Sequence, residues 1–219
     1  MSFIATPILR GWMFDTIWKF SQADAARLYA ASWIGPKRGL WRYVSRGQPS
    51  PGDITVVERD NIFAGGWDSL GLVQHVDKPS WIADSTKGTD YGTAAARHAQ
   101  LVEYPMGCHI VPDIEGLGDA GAPVYDFIAY WSDAVRAAGY LPLPYDGYDD
   151  GLAAQWKTQL VTRGIVRATD WWSDFGPRSL PPGLAWVGKQ HEQTTVAGIG
   201  VDPDEVLVDN VLVLMGQAA

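Results

Sequence analysis

Segments with the character of strands and helices alternate along the whole chain of 219 residues. Strand, helix and strand in succession indicate a parallel sheet, because a chain must cross back before it pairs in the same direction again. Eight candidate strands occur, with helices between most of them. The pattern predicts one α/β domain over residues 1–219, a compact and irregular (β/α)8 barrel of the TIM type.

The candidate strands are short apolar runs bounded by glycine, proline or polar residues. They lie at 11–15, 40–44, 70–76, 108–116, 140–148, 164–172, 184–191 and 205–215. The candidate helices lie at 22–32, 53–63, 93–104, 124–139 and 152–163. Ser21 is predicted as the N-cap of the first helix, and Gly139 as the glycine that ends the fourth.

An open, doubly wound sheet is the rival architecture for this alternation. Its nucleotide-binding form places a glycine-rich phosphate loop after the first strand. No such loop follows residues 11–15. The barrel is therefore the favoured reading.

Composition limits the class of partner. Hydrophobic residues make up 47% of the chain, enough for a sizeable core. The net charge of −8 argues against nucleic acid and against docking on anionic lipid. Eleven tryptophans are consistent with a carbohydrate cleft, where flat rings cover the C–H faces of sugars.

The sequence contains one cysteine, Cys108, so no internal disulfide is predicted. We interpret it as a small buried residue of the fourth strand. The N-terminal residues lack the pattern of a signal peptide, and no apolar run approaches the roughly 18 residues that span a bilayer. The expectation is a protein made in the cytoplasm without a recognisable signal peptide.

Acids fall at or after the ends of several candidate strands. Asp15 ends the first strand, Asp113 and Glu115 end the fourth, Asp146 follows the fifth, and Asp202 lies in the loop predicted after the seventh. The carboxyl ends of parallel strands carry the functional groups of a barrel. These acids are therefore the candidates for a catalytic site.

The spacing of Asp113 and Glu115 suits a catalytic pair. Side chains two residues apart on a strand share a face, and their Cα atoms lie about 6.5–7 Å apart. Two carboxylates at that range raise the pKa of the more buried one, which glycoside hydrolysis uses. A pair of solvated loop acids, or a salt-bridged pair, remains the alternative.

Several motifs together resemble a known family. "GWMFD" at 11–15, "IVPDIEG" at 110–116 and "KQHEQTTVAGIGVDPDE" at 189–205 resemble the family 25 glycoside hydrolases, which are lysozyme-type muramidases. With "RYVS" at 42–45 and "LPYDGY" at 143–148, the chain looks more like their relatives, the glycoside-hydrolase-like domains of domain-of-unknown-function family 1906. The ordered set spans almost the whole chain.

The resemblance implies roles for particular residues. Glu115 would be the general acid and Asp113 its charged partner, while Asp15 and Asp202 stand where the muramidases have their first and late acids. By the same resemblance Tyr43, Gln74, Tyr145 and Gln190 would line the cleft and bind substrate. Trp172 is a further candidate for substrate binding, as an aromatic platform for a sugar ring.

The sequence gives weaker support to other types of functional site. The four histidines are scattered without metal-ligand spacing, so no metal and no other cofactor is predicted. Incidental cation binding stays open should Asp15 and Asp113 meet across the barrel. Trp171 and Trp172 are adjacent, so only one of them could face a cleft, and both could be structural. The acids at 202–205 are otherwise read as solvated loop charge.

Two functions from different classes remain open. The first is a muramidase-like glycosidase acting on peptidoglycan or a chitin-like polymer, with acid-assisted hydrolysis by a carboxylate pair. Such an enzyme could be a phage lysin, or cargo of a virion or secretion assembly, that reaches the cell wall after release or delivery. The second is an inactive carbohydrate-binding or structural module on the same barrel.

Overall fold

The structure is a computed structural model that describes residues 2–33, 38–76, 84–114, 122–146, 162, 172–173 and 187–218. The strands are β1 (Phe3–Pro7), β2 (Gly11–Asp15), β3 (Arg38–Tyr43), β4 (Ser69–His75), β5 (His109–Ile114), β6 (Leu141–Pro142), β7 (Tyr145–Asp146), β8 (Trp172–Ser173), β9 (Gly188–Gln190), β10 (Thr194–Val196), β11 (Ile199–Val206) and β12 (Val213–Gln217). The helices in these ranges are α1 (Gln22–Ala31), α2 (Val56–Ala64), α3 (Ser85–Leu101) and α4 (Ala122–Ala137).

One curled sheet runs through the molecule. Strands β2, β3, β4 and β5 are parallel neighbours, and β5 continues through β7, β8 and β9, again in parallel. Strand β11 is antiparallel to both β9 and β2, so the pairing leads back to β2. At the other side, β1 pairs with β12 and β12 with β4, both antiparallel.

The α/β class predicted from the sequence is confirmed, but the sheet is not plainly a regular (β/α)8 barrel. Only residues 191–198 connect β9 to β11, too few for the crossover that a parallel strand needs. The connection instead contains β10 and a two-residue turn, in which Ala197 and Gly198 both have positive φ. Such a turn joins antiparallel strands, so β11 runs against its neighbours.

The helices begin and end where local chemistry requires it. Ser21 caps α1 by accepting a hydrogen bond from the backbone N–H of Asp24, as predicted. Thr55 and Asp84 cap α2 and α3 in the same way. Gly139 follows α4 with φ at 89°, a left-handed conformation that favours glycine.

Three strand predictions need correction or lie outside the described residues. The predicted fifth strand is divided into β6 and β7, because Pro142 and Pro144 cannot donate ladder hydrogen bonds. The loop predicted around Asp202 is strand β11, and β12 begins only at Val213. The predicted helix at 152–163, apart from residue 162, and most of the sixth strand lie outside the described residues.

The core has two layers, one on each face of the sheet. Phe14, Leu40, Leu72 and Ile110 point outward and pack in the cluster that includes the buried faces of the helices. Met13, Trp41, Val73 and Val111 point into the curl of the sheet and form a second cluster there. Cys108 is fully buried in the outer cluster, as predicted, but it immediately precedes β5 instead of belonging to the strand.

Candidate active site

A polar layer lies above the inner apolar layer, at the carboxyl ends of four parallel strands. Each strand presents an inward apolar residue and, two positions later, a polar one: Met13 and Asp15, Trp41 and Tyr43, Val73 and His75, Val111 and Asp113. Residues two apart on a strand share a face, so the polar layer follows from the strand period. The apolar layer beneath it fixes the height and direction of these side chains.

The antiparallel strand β11 adds two more carboxyl groups to this layer. Asp202 is in register with Asp15 on β2, and Asp204 is in register with Gln190 on β9. Asp204 is almost fully buried. Both acids belong to a strand that lines the site. The interpretation of the acids at 202–205 as solvated charges of a loop is therefore wrong for Asp202 and Asp204.

The polar layer encloses a cavity of about 110 Å³. Its lining combines four carboxyl groups with aromatic, amide and imidazole side chains. The lining residues are Asp15, Trp41, Tyr43, Val73, His75, Val111, Asp113, Tyr145, Gln190, Asp202 and Asp204.

The carboxyl group of Asp15 has a strongly perturbed pKa. Burial, with further contributions from the charges of Asp113 and Asp202, raises its pKa to about 7. The Tyr43 hydroxyl donates a hydrogen bond to Oδ2 of Asp15 at 3.1 Å, which opposes the rise in pKa. Oδ1 of Asp15 is buried and accepts no hydrogen bond from any described residue. At neutral pH this carboxyl group is therefore poised between its two protonation states.

A buried ion pair supports the strand ends from behind. Arg42 is fully buried, and its guanidinium donates to Glu58 at 2.9 Å and to the carbonyls of Thr16 and Gly52. Because Thr16 directly follows Asp15, this contact ties down the exit of β2. The positive charge of Arg42 lowers the pKa of Asp15, but burial and the neighbouring carboxylates outweigh it.

Two further contacts order the cavity wall. His75 Nδ1 lies 2.5 Å from Oδ2 of Asp113, on the neighbouring strand. Tyr145 donates its hydroxyl to Oε1 of Gln190 at 2.5 Å. Both links join side chains from different strands, so the wall is held by the sheet rather than by flexible loops.

The structure brings together six of the nine residues proposed for the site from the sequence. They are Asp15, Tyr43, Asp113, Tyr145, Gln190 and Asp202. Glu115 lies outside the described residues, one position beyond the end of β5. The backbone of Trp172 pairs with Tyr145 and Gly188, and its side chain lies outside the described residues.

Gln74 does not line the cavity, which corrects the prediction that it binds substrate. Its amide is fully buried on the outer face of β4, where it donates to the carbonyls of Ser45 and Tyr91. Its Oε1 accepts a hydrogen bond from the indole N–H of Trp131 at 2.7 Å. Gln74 is therefore a structural link between the sheet and helices α3 and α4, and the inward position belongs to His75.

Three cavity residues whose side chains carry a hydrogen-bonding group, namely Trp41, His75 and Asp204, were not predicted as site residues from the sequence. The alternation Trp41-x-Tyr43 and Val73-x-His75 could have located two of them, once Tyr43 was placed on the inner face. Asp204 lies two residues after Asp202 in β11, but the sequence predicts a loop there, so alternation could not have located it.

Two classes of feature are absent from the described ranges. No group of three His, Cys, Asp or Glu side chains there has the arrangement of a metal site. None of the helices in these ranges combines the length and apolar character needed to cross a bilayer.

The fold and the cavity define an α/β protein with a carboxylate-rich cavity at the ends of parallel strands. The chain matches no protein-family model, and no curated protein matches it in sequence. Solved structures do share its fold. An uncharacterised protein from B. stearothermophilus superposes with a TM-score of 0.68 at 18% identity, over 90% of this chain and 95% of its own.

Two further solved structures share this fold. The Tat-secreted protein Rv2525c of Mycobacterium tuberculosis gives a TM-score of 0.63 at 17% identity, over 90% of this chain and 96% of its own. The modular autolysin LytC of Streptococcus pneumoniae gives 0.62 at 13% identity, over 90% of this chain and 47% of its own. LytC has also been solved with a synthetic peptidoglycan ligand. At these identities the similarity shows a shared fold.

Proposed function

We propose that this protein is a glycoside hydrolase-like enzyme that cleaves peptidoglycan or a related amino-sugar polymer. The observation that carries the proposal is the convergence of Asp15, Asp113 and Asp202 on one cavity at the carboxyl ends of the strands. Glycosidases need one carboxyl group that holds a proton and another that stays ionised. A cluster of carboxyl groups with unequal environments can meet that need.

The roles of Glu115 and Asp113 in this proposal come from the family resemblance, and the role of Asp15 comes from its environment in the structure. Glu115 would protonate the leaving-group oxygen as the general acid, and Asp113 would face the positive charge that develops at the anomeric carbon. Asp15, with its pKa raised to about 7, supplies a second carboxyl group that can hold a proton near neutral pH. The negative charge of Asp202, opposite Asp15, disfavours the ionised form of Asp15 and so favours retention of the proton.

The remaining lining suits a sugar ring. Tyr43, Tyr145 and Trp41 offer aromatic surface, while Gln190 offers an amide for hydroxyl or acetamido groups. Trp172 is proposed as a further sugar platform. A pyranose in the cavity would thus meet aromatic walls at the sides and carboxyl groups at the reacting end.

The fold supports the same proposal. A curled sheet of this type is shared with an autolysin whose structure includes a peptidoglycan ligand. We interpret the sheet as an irregular derivative of the (β/α)8 barrel in which β11 has replaced a parallel strand. Cleavage sites of such barrels lie at the carboxyl ends of the strands, where the acids of this protein gather.

Binding and turnover can be separated experimentally. Purified peptidoglycan sacculi would be incubated with the wild type and with Asp15→Asn, Asp113→Asn and the control Asp133→Asn, which removes an exposed acid on α4. Cosedimentation measures binding, and release of soluble fragments measures turnover. The proposal predicts turnover by the wild type and the control, and loss of turnover with retained binding in Asp15→Asn and Asp113→Asn.

One outcome would favour the second class of function. If the wild type sediments with peptidoglycan or chitin and releases no fragment from either, the protein is a carbohydrate-binding module. If it neither binds nor cleaves any glycan tested, the proposal fails altogether.

A further inference from the structure

We propose that His75 is a positioning residue that orients the carboxylate of Asp113 through its Nδ1–H group. The inference deepens the proposed function and rests on it. No sequence motif singles out this histidine, because it lies in neither a metal-ligand nor a nucleophile motif. Three features of the structure support the proposal.

The first feature is a contact fixed by two strands. His75 and Asp113 are register partners on the parallel strands β4 and β5, at the carboxyl end of both. Nδ1 of His75 lies 2.5 Å from Oδ2 of Asp113. Because both residues belong to strands of the sheet, their separation does not depend on loop movement, and the contact restricts the rotation of the carboxylate.

The second feature is the exposure of the imidazole. The side chain of His75 is 43% exposed and that of Asp113 only 10%. The carboxylate of Asp113 is therefore the more enclosed partner of the contact, and the imidazole is the more exposed one. A carboxylate held in this manner cannot turn toward solvent without losing the hydrogen bond.

The third feature is the location of His75 at a junction. The carboxylate-rich cavity adjoins a second cavity of about 210 Å³, whose lining includes Ile17, Gln48 and Asp53. His75 and Tyr43 line both cavities, and their rings meet edge to face at 6.1 Å. A polymer that occupies both cavities would pass the rings of His75 and Tyr43. His75 would therefore orient Asp113 at the junction through which the polymer runs.

The contact determines which ring nitrogen carries the proton when the imidazole is neutral. An ionised carboxylate only accepts hydrogen bonds, so Nδ1 of His75 must be the donor. His98 provides the opposite case in the same protein. Its Nδ1 accepts from the backbone N–H of Ser45 at 3.2 Å, and its Nε2 lies 2.7 Å from the carbonyl of Ile54, so its proton is on Nε2.

The first arm of the test uses NMR and needs no substrate. Nitrogen-15 spectra of the imidazoles distinguish the two neutral tautomers. We expect His75 to show the Nδ1–H form in the wild type and to lose that preference in Asp113→Leu, which has no hydrogen-bond acceptor, while His98 keeps the Nε2–H form in both proteins. A His75 in the Nε2–H form in the wild type, or one unchanged by Asp113→Leu, would overturn the proposal.

The second arm measures kcat and KM on soluble glycan fragments released from peptidoglycan. His75→Leu should lower kcat by about 10²-fold with a smaller change in KM, because a misplaced catalytic group loses rate rather than binding. His75→Asn should recover much of the loss, since its amide nitrogen stands close to the position of Nδ1. The matched control is His191→Leu, which removes a histidine paired with Glu205 and packed against Trp12.

The outcomes separate this inference from the proposed function. If the wild type is inactive on every glycan but binds one, the proposed hydrolysis fails. The affinity of His75→Leu for that glycan then replaces kcat, and an affinity equal to the wild type overturns the role of His75. If the wild type is active and His75→Leu has the same kcat, His75 is no positioning residue and the proposed function stands.

Discussion

Asp15 on β2 and Asp202 on β11 are directly opposite each other across an antiparallel strand pair, and both line the same cavity. Opposed residues of such a pair have Cα atoms about 4.5–5.5 Å apart. Like charges on directly opposed residues of a strand pair destabilise the folded state. Their juxtaposition at the end of a buried strand therefore makes the protonation of Asp15 sensitive to its neighbours.

Asp202→Asn should lower the pKa of Asp15 from its value of about 7. The substitution keeps the size of the side chain and removes one of the charges that disfavour ionised Asp15. Carbon-13 NMR titration of the aspartate carboxyl groups measures the change. Asp209→Asn, on an exposed turn beside Arg10, should leave the titration of Asp15 unaltered. An unchanged pKa in Asp202→Asn would mean that the two charges are screened from each other.

Tyr43→Phe should move the same pKa in the opposite direction. The Tyr43 hydroxyl donates to Oδ2 of Asp15 and so favours the ionised carboxylate. Burial and the neighbouring carboxylates raise the pKa of Asp15, and phenylalanine removes the hydrogen bond that opposes them. The pKa of Asp15 should therefore rise above about 7. The same NMR titration measures it, with Tyr130→Phe on the exposed face of α4 as the control. A lower pKa in Tyr43→Phe would contradict this account of the hydrogen bond.

Above pH 7, Asp15→Asn should have a larger free energy of unfolding than the wild type. The folded state holds the Asp15 proton up to a pKa of about 7, whereas the unfolded state releases it near 3.8. Between these values the folded state binds more protons, so stability falls as the pH rises, and the loss is complete above pH 7. Asparagine carries no such charge.

Urea denaturation at pH 4 and pH 8 tests this linkage. The free energy of unfolding of Asp15→Asn relative to the wild type should increase by about 1–4 kcal/mol between the two pH values. Asp133→Asn, with its exposed side chain, serves as the control. A difference that is the same at both pH values would show that Asp15 is not held protonated.

Cys108→Ser should destabilise the protein without affecting the site. Burial raises the pKa of the Cys108 thiol to about 12, and the side chain is fully enclosed before β5. A buried hydroxyl in its place should lower the free energy of unfolding by about 1–3 kcal/mol. Urea denaturation measures the loss, and thiol labelling of the native wild type should be slow because little thiolate is present. Rapid labelling of the folded protein would contradict the burial of Cys108.

Local pattern predicted the elements that depend on local chemistry. The strand that ends at Asp15 and the helix capped by Ser21 lie where the sequence placed them. The pattern of β4 predicted its strand but not its faces, because a parallel strand buried on both sides has no polar alternation. The resemblance implies Gln74 as a cleft residue, and the strand pattern could not correct this in favour of His75.

Long-range pairing accounts for the elements that were missed. Strand β1 is held by β12, more than 200 residues away, and its own sequence shows little of a buried strand. In β11, Pro203 and three acids suggest a loop, yet the strand is held between β2 and β9. Which acids meet in the cavity depends on these pairings, so neither Asp204 nor the opposition of Asp15 and Asp202 could be predicted.

We propose above that this protein hydrolyses a glycan polymer with Glu115 as the general acid, together with the carboxyl groups of the cavity. The most direct measurement is the rate at which new reducing ends appear in purified peptidoglycan, for the wild type and for Glu115→Gln at equal amounts of bound protein. The account predicts turnover by the wild type and a rate lower by about 10²–10⁴-fold in Glu115→Gln, because glutamine keeps the shape of the side chain and lacks a proton to transfer. Equal rates for the two proteins, or no new reducing ends from the wild type on peptidoglycan or chitin, would contradict it.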